Sequence, residues 1–215
     1  MNNNIPKIIW QTHNYKYEEL PLHFKQIIKT WINLNPGWEY RYVDHEQRLN
    51  LIKKDLVLLK GYTKLPPVIQ SDIWRYFVTY KNGGVYADMD SVCRQPLDYM
   101  LRNINKDVEM IVTEKNNETI NCANFAIIKK SKIMKKILDS VKSDEFINEK
   151  WSNWRHPIHC FNDIVINSAN VSYSFTAASH SKDYKKMFNS SYPIDYFGEL
   201  TSYSDFIRKN NLFLE

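Results

Sequence analysis

The segment over residues 67–90 constrains the fold of this 215-residue chain more than any other part of the sequence. Its apolar residues recur at helical spacing over residues 67–81, which predicts a helix. Asn82-Gly83-Gly84 then stops the helix, because glycine accepts the left-handed position after a helix end. A brief strand over residues 85–87 leads directly into Asp88-Met89-Asp90. The segment therefore predicts a helix joined to a buried strand, with two carboxylates at the strand's carboxyl end.

The rest of the chain alternates between strand-like and helix-like patterns. Short β-branched or alternating runs predict strands over residues 5–12, 38–43, 108–113 and 125–128. Amphipathic periodicity predicts helices over residues 22–33, 46–59, 131–141 and 161–169. This order predicts an α/β fold in which a single, mostly parallel central sheet is flanked by helices. The length indicates one domain over residues 1–215.

Glycine is scarce, and this excludes two familiar phosphate-binding sites. The five glycines form neither G-x-G-x-x-G nor G-x-x-x-x-G-K-[ST], so a dinucleotide-binding fingerprint and a P-loop are both absent. A bound phosphate would need another source of positive charge. The net charge of +5 is scattered along the sequence and no recognition module accompanies it, so nucleic-acid binding is not expected.

Cysteine and hydropathy patterns indicate the compartment. The three cysteines contain no C-x-x-C pair, which disfavours a zinc ribbon and is typical of free thiols in a reducing compartment. No signal-peptide pattern opens the chain, and no apolar run approaches the roughly 18 residues that a membrane span needs. We expect a cytoplasmic protein without a transmembrane segment. Weak peripheral contact with a membrane stays open.

Asp88 and Asp90 form the first half of a candidate site. In extended geometry, residues i and i+2 point to the same side, so both carboxylates can converge on one hard divalent cation. Asp72 and Arg75 lie one turn apart on the preceding helix, where a carboxylate can accept from sugar hydroxyls and a guanidinium can donate in a rigid fork. Two alternatives stay open at this point: solvated turn aspartates, and a surface ion pair between Asp72 and Arg75.

The Asp88–Asp90 pair and the Asp72–Arg75 pair together resemble a known family. Ser-Asp-x-x-Arg-Tyr at residues 71–76 and Tyr-x-x-Gly-Gly-Val-Tyr-x-Asp-x-Asp at residues 80–90 resemble the sugar-binding DXD region of glycosyltransferases. Similar groups are the yeast initiating α-1,6-mannosyltransferases, bacterial capsule and lipopolysaccharide sugar transferases, and glucosylating clostridial toxins. The opening Ile-Pro-Lys-Ile-Ile-x-Gln is similar to that family's first strand, so the resemblance covers residues 5–96.

The resemblance implies a fold, a reaction and a site. It implies the GT-A fold, a Rossmann-like nucleotide-diphospho-sugar transferase, with residues 1–100 binding the donor and residues 101–215 facing the acceptor. It implies metal-dependent sugar transfer, with retention, from a nucleotide-sugar donor to a glycan or glycoconjugate acceptor, as in polysaccharide biosynthesis. A UDP-sugar is favoured over a GDP-sugar, and the metal is Mn2+ or Mg2+.

The same resemblance implies a role for each site residue. Asp90 would ligate the metal directly, and Asp88 would bind ribose, donor sugar or metal-bound water. Asp72 and Arg75 would hold the hydroxyls of the donor sugar. The base pocket would be formed by the end of the first strand, at Gln11, Thr12 and His13. Members of the family carry a further metal or phosphate contact near the C-terminus. The candidates for it in this chain are His180, Asp195 and Glu199.

Three other functions compete with this interpretation. A catalytically inactive sugar- or nucleotide-binding module would use the same site. A basic nucleic-acid-binding protein would show salt-dependent retention on DNA or RNA. A metal-dependent phosphohydrolase would need more carboxylates and histidines near the aspartate pair.

Overall fold

The chain is an α/β fold whose elements alternate much as the sequence predicts. The computed structural model describes residues 4–113, 120, 122–142 and 156–180. The strands are β1 Ile8–Thr12, β2 Glu39–Val43, β3 Gly84–Ala87, β4 Ser91–Cys93, β5 Met110–Val112, β6 Asn124–Ile127, β7 Val171–Ser172 and β8 Ala178–His180. The helices are α1 Leu22–Leu34, α2 His45–Ile52, α3 Leu56–Tyr62, α4 Pro67–Asn82, α5 Leu97–Met100, α6 Lys132–Val141 and α7 His156–Ile166. Among the described helices, none is long and apolar enough to cross a bilayer.

Six strands form the central sheet in the order β2-β1-β3-β6-β5-β7. β6 runs antiparallel to both of its neighbours, and the other pairs are parallel. Five strands therefore point the same way, which confirms the predicted mostly parallel sheet. The prediction of a single sheet is incomplete, because β4 and β8 pair as a separate two-stranded antiparallel sheet.

Helices cover both faces of the sheet, and strand alternation divides the core between them. In β1, Ile9 packs into the core beneath α1 and α5, whereas Trp10 packs into the core beneath α2, α3, α4, α6 and α7. In β3, Val85 and Ala87 face the α1 side and Tyr86 faces the α4 side. This period of two is what a strand buried on both faces requires.

The predicted helix over residues 46–59 is wrong as one element, because the chain breaks it into α2 and α3. Asp44 caps α2 by accepting from the Gln47 amide at 2.8 Å, and Asp55 caps α3 by accepting from the Leu58 amide at 3.1 Å. An aspartate that satisfies the amides of a helix start favours a new helix over continuation of the old one. The last described helix also begins at His156, five residues before the predicted start at residue 161.

A glycine pair joins α4 to β3. Gly83 ends the helix at a φ of 69°, and Gly84 begins the strand at a φ of 104°. A Cβ at Gly84 would lie 2.5 Å from the Ile8 carbonyl oxygen, so only glycine lets β3 approach β1 this closely. The Trp10 indole Nε1 then donates to the Gly83 carbonyl at 2.9 Å. The junction fixes β3, and hence the segment that follows it, against β1.

Gly84→Ala should therefore destabilise the chain by at least about 2 kcal/mol, because it adds backbone strain to a direct clash with the Ile8 carbonyl. Gly37→Ala is the matched control, since a Cβ at Gly37 meets no atom within 4 Å, and its effect should stay within about 0.5 kcal/mol. Urea unfolding of the two variants measures the difference. Equal unfolding free energies would contradict the close approach at Gly84.

Candidate active site

The Arg75 guanidinium contacts two other residues that the sequence singled out, Asp72 and Asp88. Its Nη2 donates to Asp72 Oδ1 on the same helix and lies 3.3 Å from Asp88 Oδ1. Its Nη1 donates to the carbonyl oxygen of Cys122 at 2.9 Å. The helix stripe of α4 and the carboxyl end of β3 therefore meet at one point.

The Asp72–Arg75 pair is buried, so the alternative of a surface ion pair is wrong. Only 6% of the Asp72 side chain and 7% of the Arg75 side chain are exposed. Burial raises the pKa of Asp72, and the positive charge of Arg75 opposes that shift. With so little surface exposed, the pair first of all organises the site, and its contact with sugar hydroxyls stays a prediction.

Tyr86 is a site residue that the sequence interpretation missed. Its hydroxyl donates to Asp88 Oδ1 at 2.7 Å, and the Arg75 guanidinium lies over its ring at 4.6 Å from the centroid. Tyr86 alternates with the α1-facing residues of β3, so period-two alternation could have placed it on the α4 side with Arg75. The hydrogen bond from Tyr86 and the ion pair with Arg75 meet on the same oxygen and fix the orientation of the Asp88 carboxylate.

The backbone of Asp88 is held as firmly as its side chain. Its amide donates to the Ala123 carbonyl at 2.8 Å. Its carbonyl accepts from Gln11 Nε2 at 2.9 Å and from the Ser91 amide at 3.0 Å. Asp90, which is half-buried, therefore lies in a short turn that is anchored at both ends.

Of the three residues that the sequence offers for a further metal or phosphate contact, one lies within the described chain. The strand register of β4 and β8 places His180 opposite Ser91, one residue after Asp90. Asp195 and Glu199 lie outside the described residues.

The charge balance of the site suits a divalent cation. Burial raises the pKa of Asp88 to about 6, with Arg75 opposing the shift and Asp90 adding to it, while 31% of the side chain remains exposed. When ionised, the carboxylates of Asp72, Asp88 and Asp90 outweigh the one guanidinium by two charges. Within the described residues, no group of three or more histidines, cysteines or acidic side chains could hold a metal. Two carboxylates, with substrate phosphates completing the shell, fit Mg2+ or Mn2+.

The end of β1 contacts the site through side chains that already have protein partners. The Gln11 amide also accepts from the Tyr40 hydroxyl at 2.8 Å, and the Thr12 hydroxyl donates to the Val43 carbonyl at 2.6 Å. His13 is buried against Phe24, and burial lowers its pKa to about 4, so the ring is neutral. The predicted base pocket at these three residues is next to Asp88, and its role stays a prediction.

A comparison with protein families identifies the segment that carries this geometry. Residues 21–107 match the family described as "Glycosyltransferase sugar-binding region containing DXD motif". The matched segment contains the helix of Asp72 and Arg75 and the turn of Asp88 and Asp90. Residues 21–107 are thus similar to the sugar-binding region of DXD glycosyltransferases. The resemblance inferred from the sequence is thereby confirmed.

Curated relatives agree with this family. The initiation-specific alpha-1,6-mannosyltransferase of Candida albicans is 31% identical over 119 residues, which are 52% of this chain and 30% of the relative. The inositol phosphoceramide mannosyltransferase 2 of Schizosaccharomyces pombe is 39% identical over 99 residues, which are 45% of this chain and 28% of the relative. The chain thus spans less than a third of the length of these relatives.

A solved structure shares the fold of this segment and its surroundings. The PaToxG glycosyltransferase superposes with a TM-score of 0.60 at 16% identity, over 75% of this chain and 69% of that one. The similarity extends well beyond residues 21–107 and confirms the predicted GT-A fold. At this identity it concerns the fold alone.

Arg75→Met should destabilise the protein by about 3–5 kcal/mol, because it leaves the buried Asp72 carboxylate without its cation. Adding Asp72→Asn removes that charge, so the double variant should recover at least about 1 kcal/mol relative to Arg75→Met alone. Urea unfolding measures both. Lys135→Met is the control, because it breaks an exposed pair with Asp139 and should leave stability unchanged. No difference between the Arg75 and Lys135 variants would contradict the buried pair.

Proposed function

We propose that this chain is a metal-dependent glycosyltransferase that moves a sugar from a nucleotide-sugar donor to a glycan or glycoconjugate acceptor, with retention. The observation that carries the proposal is the ordered Asp88–Asp90 turn, whose first carboxylate is oriented by Arg75 and Tyr86. Its place inside a DXD sugar-binding region supports the same conclusion.

The side chains of the candidate site have distinct roles in this proposal. Asp88 and Asp90 would hold Mn2+ or Mg2+, which when bound neutralises charge on the departing nucleoside diphosphate. Arg75 and Tyr86 keep the Asp88 carboxylate in one orientation, so little reorganisation is needed when the donor arrives. The small exposed part of the Asp72–Arg75 pair would orient the hydroxyls of the donor sugar and so supply proximity.

The reaction itself is a substitution at the anomeric carbon. The bond between that carbon and the diphosphate oxygen breaks, a bond to the acceptor hydroxyl oxygen forms, and the proton of that hydroxyl passes to the departing diphosphate oxygen. We assign no nucleophilic carboxylate to a double displacement, and a front-side route accounts for retention.

The donor is proposed as a UDP-sugar, with a GDP-sugar as the alternative. Curated relatives are named as mannosyltransferases, so mannose belongs among the sugars tested. A thermal-shift panel of UDP- and GDP-sugars, each with and without Mn2+, distinguishes the two bases. A metal-dependent rise in melting temperature with one series identifies the donor class. No rise with any member would contradict the proposal.

Asp90→Ala should abolish Mn2+-dependent donor hydrolysis, measured without acceptor, while leaving the fold intact. The loss should exceed the ~10–100-fold that removal of an outer-shell partner causes, because Asp90 is a direct ligand in this proposal. Asp139→Ala is the control, because that aspartate is exposed and pairs only with Lys135 among the ion pairs of the described chain. Full metal-dependent activity in Asp90→Ala would overturn the assignment. Nucleotide-sugar binding without hydrolysis or transfer would favour an inactive binding module.

A further inference from the structure

Arg48 is a fully buried arginine at the edge of the sheet where the candidate site lies. Its side chain projects from α2 and is 0% exposed. Nη1 donates to Thr12 Oγ1 and to Ser71 Oγ, both at 2.8 Å, and Nη2 donates to Asn14 Oδ1. The guanidinium therefore contacts the end of β1, the segment that follows it, and α4.

All of these partners are neutral. The ion pairs of the described residues involve other side chains, and no carboxylate in them lies within 4.0 Å of Arg48. Its Nε also has no hydrogen-bond partner in that part of the chain. A buried cation without a counterion is unfavourable. The hydrogen bonds to Thr12, Ser71 and Asn14 offset part of this cost, and they connect the segments that carry the candidate site.

The contacts of Arg48 connect the two parts of the candidate site. Thr12 belongs to the strand end predicted to form the base pocket, and its hydroxyl continues the chain of hydrogen bonds to the Val43 carbonyl. Ser71 directly precedes Asp72 on α4, and its hydroxyl donates to the Pro67 carbonyl. One planar guanidinium thus spans from the ends of β1 and β2 to the helix that carries Asp72 and Arg75. A rigid fork is suited to hold two elements at a fixed separation.

The electrostatic effect of Arg48 acts in the same region. Burial is the largest cause of the lowered pKa of His13. The charge of Arg48 is the second cause, and His23 acts in the same direction. His13 lies one residue after Thr12. The neutral ring of His13 and the positive charge of Arg48 are therefore found at the same strand end.

We propose that Arg48 is a positioning residue for the nucleotide-sugar donor. It holds the carboxyl end of β1 against α4, so that the base-binding strand end and the sugar-binding helix keep the separation that one donor molecule spans. The inference rests on the proposed function, because it requires that a nucleotide-sugar occupies this edge. In this inference Arg48 raises the affinity for the donor, and the Asp88–Asp90 turn serves the chemical step.

The test compares Arg48→Met, Arg48→Lys and the control Arg102→Met, which removes an exposed arginine near Tyr99. The readouts are the dissociation constant of the UDP- or GDP-sugar with Mn2+, and the KM and kcat of donor hydrolysis. Arg48→Met should raise the dissociation constant and KM by about 10–100-fold with kcat within about threefold, because loss of binding that is equal in ground and transition states changes KM alone. Arg48→Lys should recover part of the affinity, since an ammonium donates to some of the same oxygens without the fork.

Each outcome decides between the two proposals. Donor affinity in Arg48→Met equal to that of the wild type, or a fall in kcat at unchanged KM, would overturn the positioning role while the proposed function stands. A wild-type chain that binds no nucleotide-sugar would overturn the proposed function, and the role of Arg48 with it. If Arg48→Met fails to fold by circular dichroism, Arg48→Lys and Ser71→Ala decide, because each weakens the same connection. Wild-type KM in both would overturn the inference.

Discussion

One buried guanidinium, that of Arg75, is shared by the carboxylates of Asp72 and Asp88 and by the carbonyl of Cys122. It joins α4, the end of β3 and the segment before β6. Because two buried or half-buried carboxylates would otherwise repel each other, this cation stabilises the side-chain position of Asp88. Tyr86 completes the arrangement by donating to the same Asp88 oxygen from beneath the guanidinium.

The backbone delivers the Asp88–Asp90 turn to this cation. The Gly83–Gly84 junction lets β3 approach β1 closely, and the Gln11 amide then holds the Asp88 carbonyl. Contacts within the protein consequently organise the site, and its net negative charge suits a divalent cation. In the proposed function, carboxylates and a bound metal would take the place of the glycine-rich phosphate loops that the sequence lacks.

Local signals in the sequence were sufficient to predict the helix of Asp72 and Arg75, the glycine stop and the strand before Asp88. Periodicity and turn chemistry act over a few residues, and these elements obey both. The break at Asp55 was missed because apolar periodicity continued across it, and β8 was missed because its three residues are ordered by pairing with β4. Arg48 was missed for the same reason, since its contacts with Thr12 and Ser71 are 36 and 23 residues away in sequence.

The central claim is that the Asp88–Asp90 turn holds a divalent cation together with the donor's diphosphate. The most direct measurement is a crystal structure of the chain grown with Mn2+ and a nucleoside diphosphate, with anomalous data at the manganese edge. We expect one strong anomalous peak in contact with oxygens of Asp88 and Asp90 and of the diphosphate, with Arg75 still paired to Asp72. A diphosphate bound elsewhere, or a manganese peak away from both aspartates, would contradict the account.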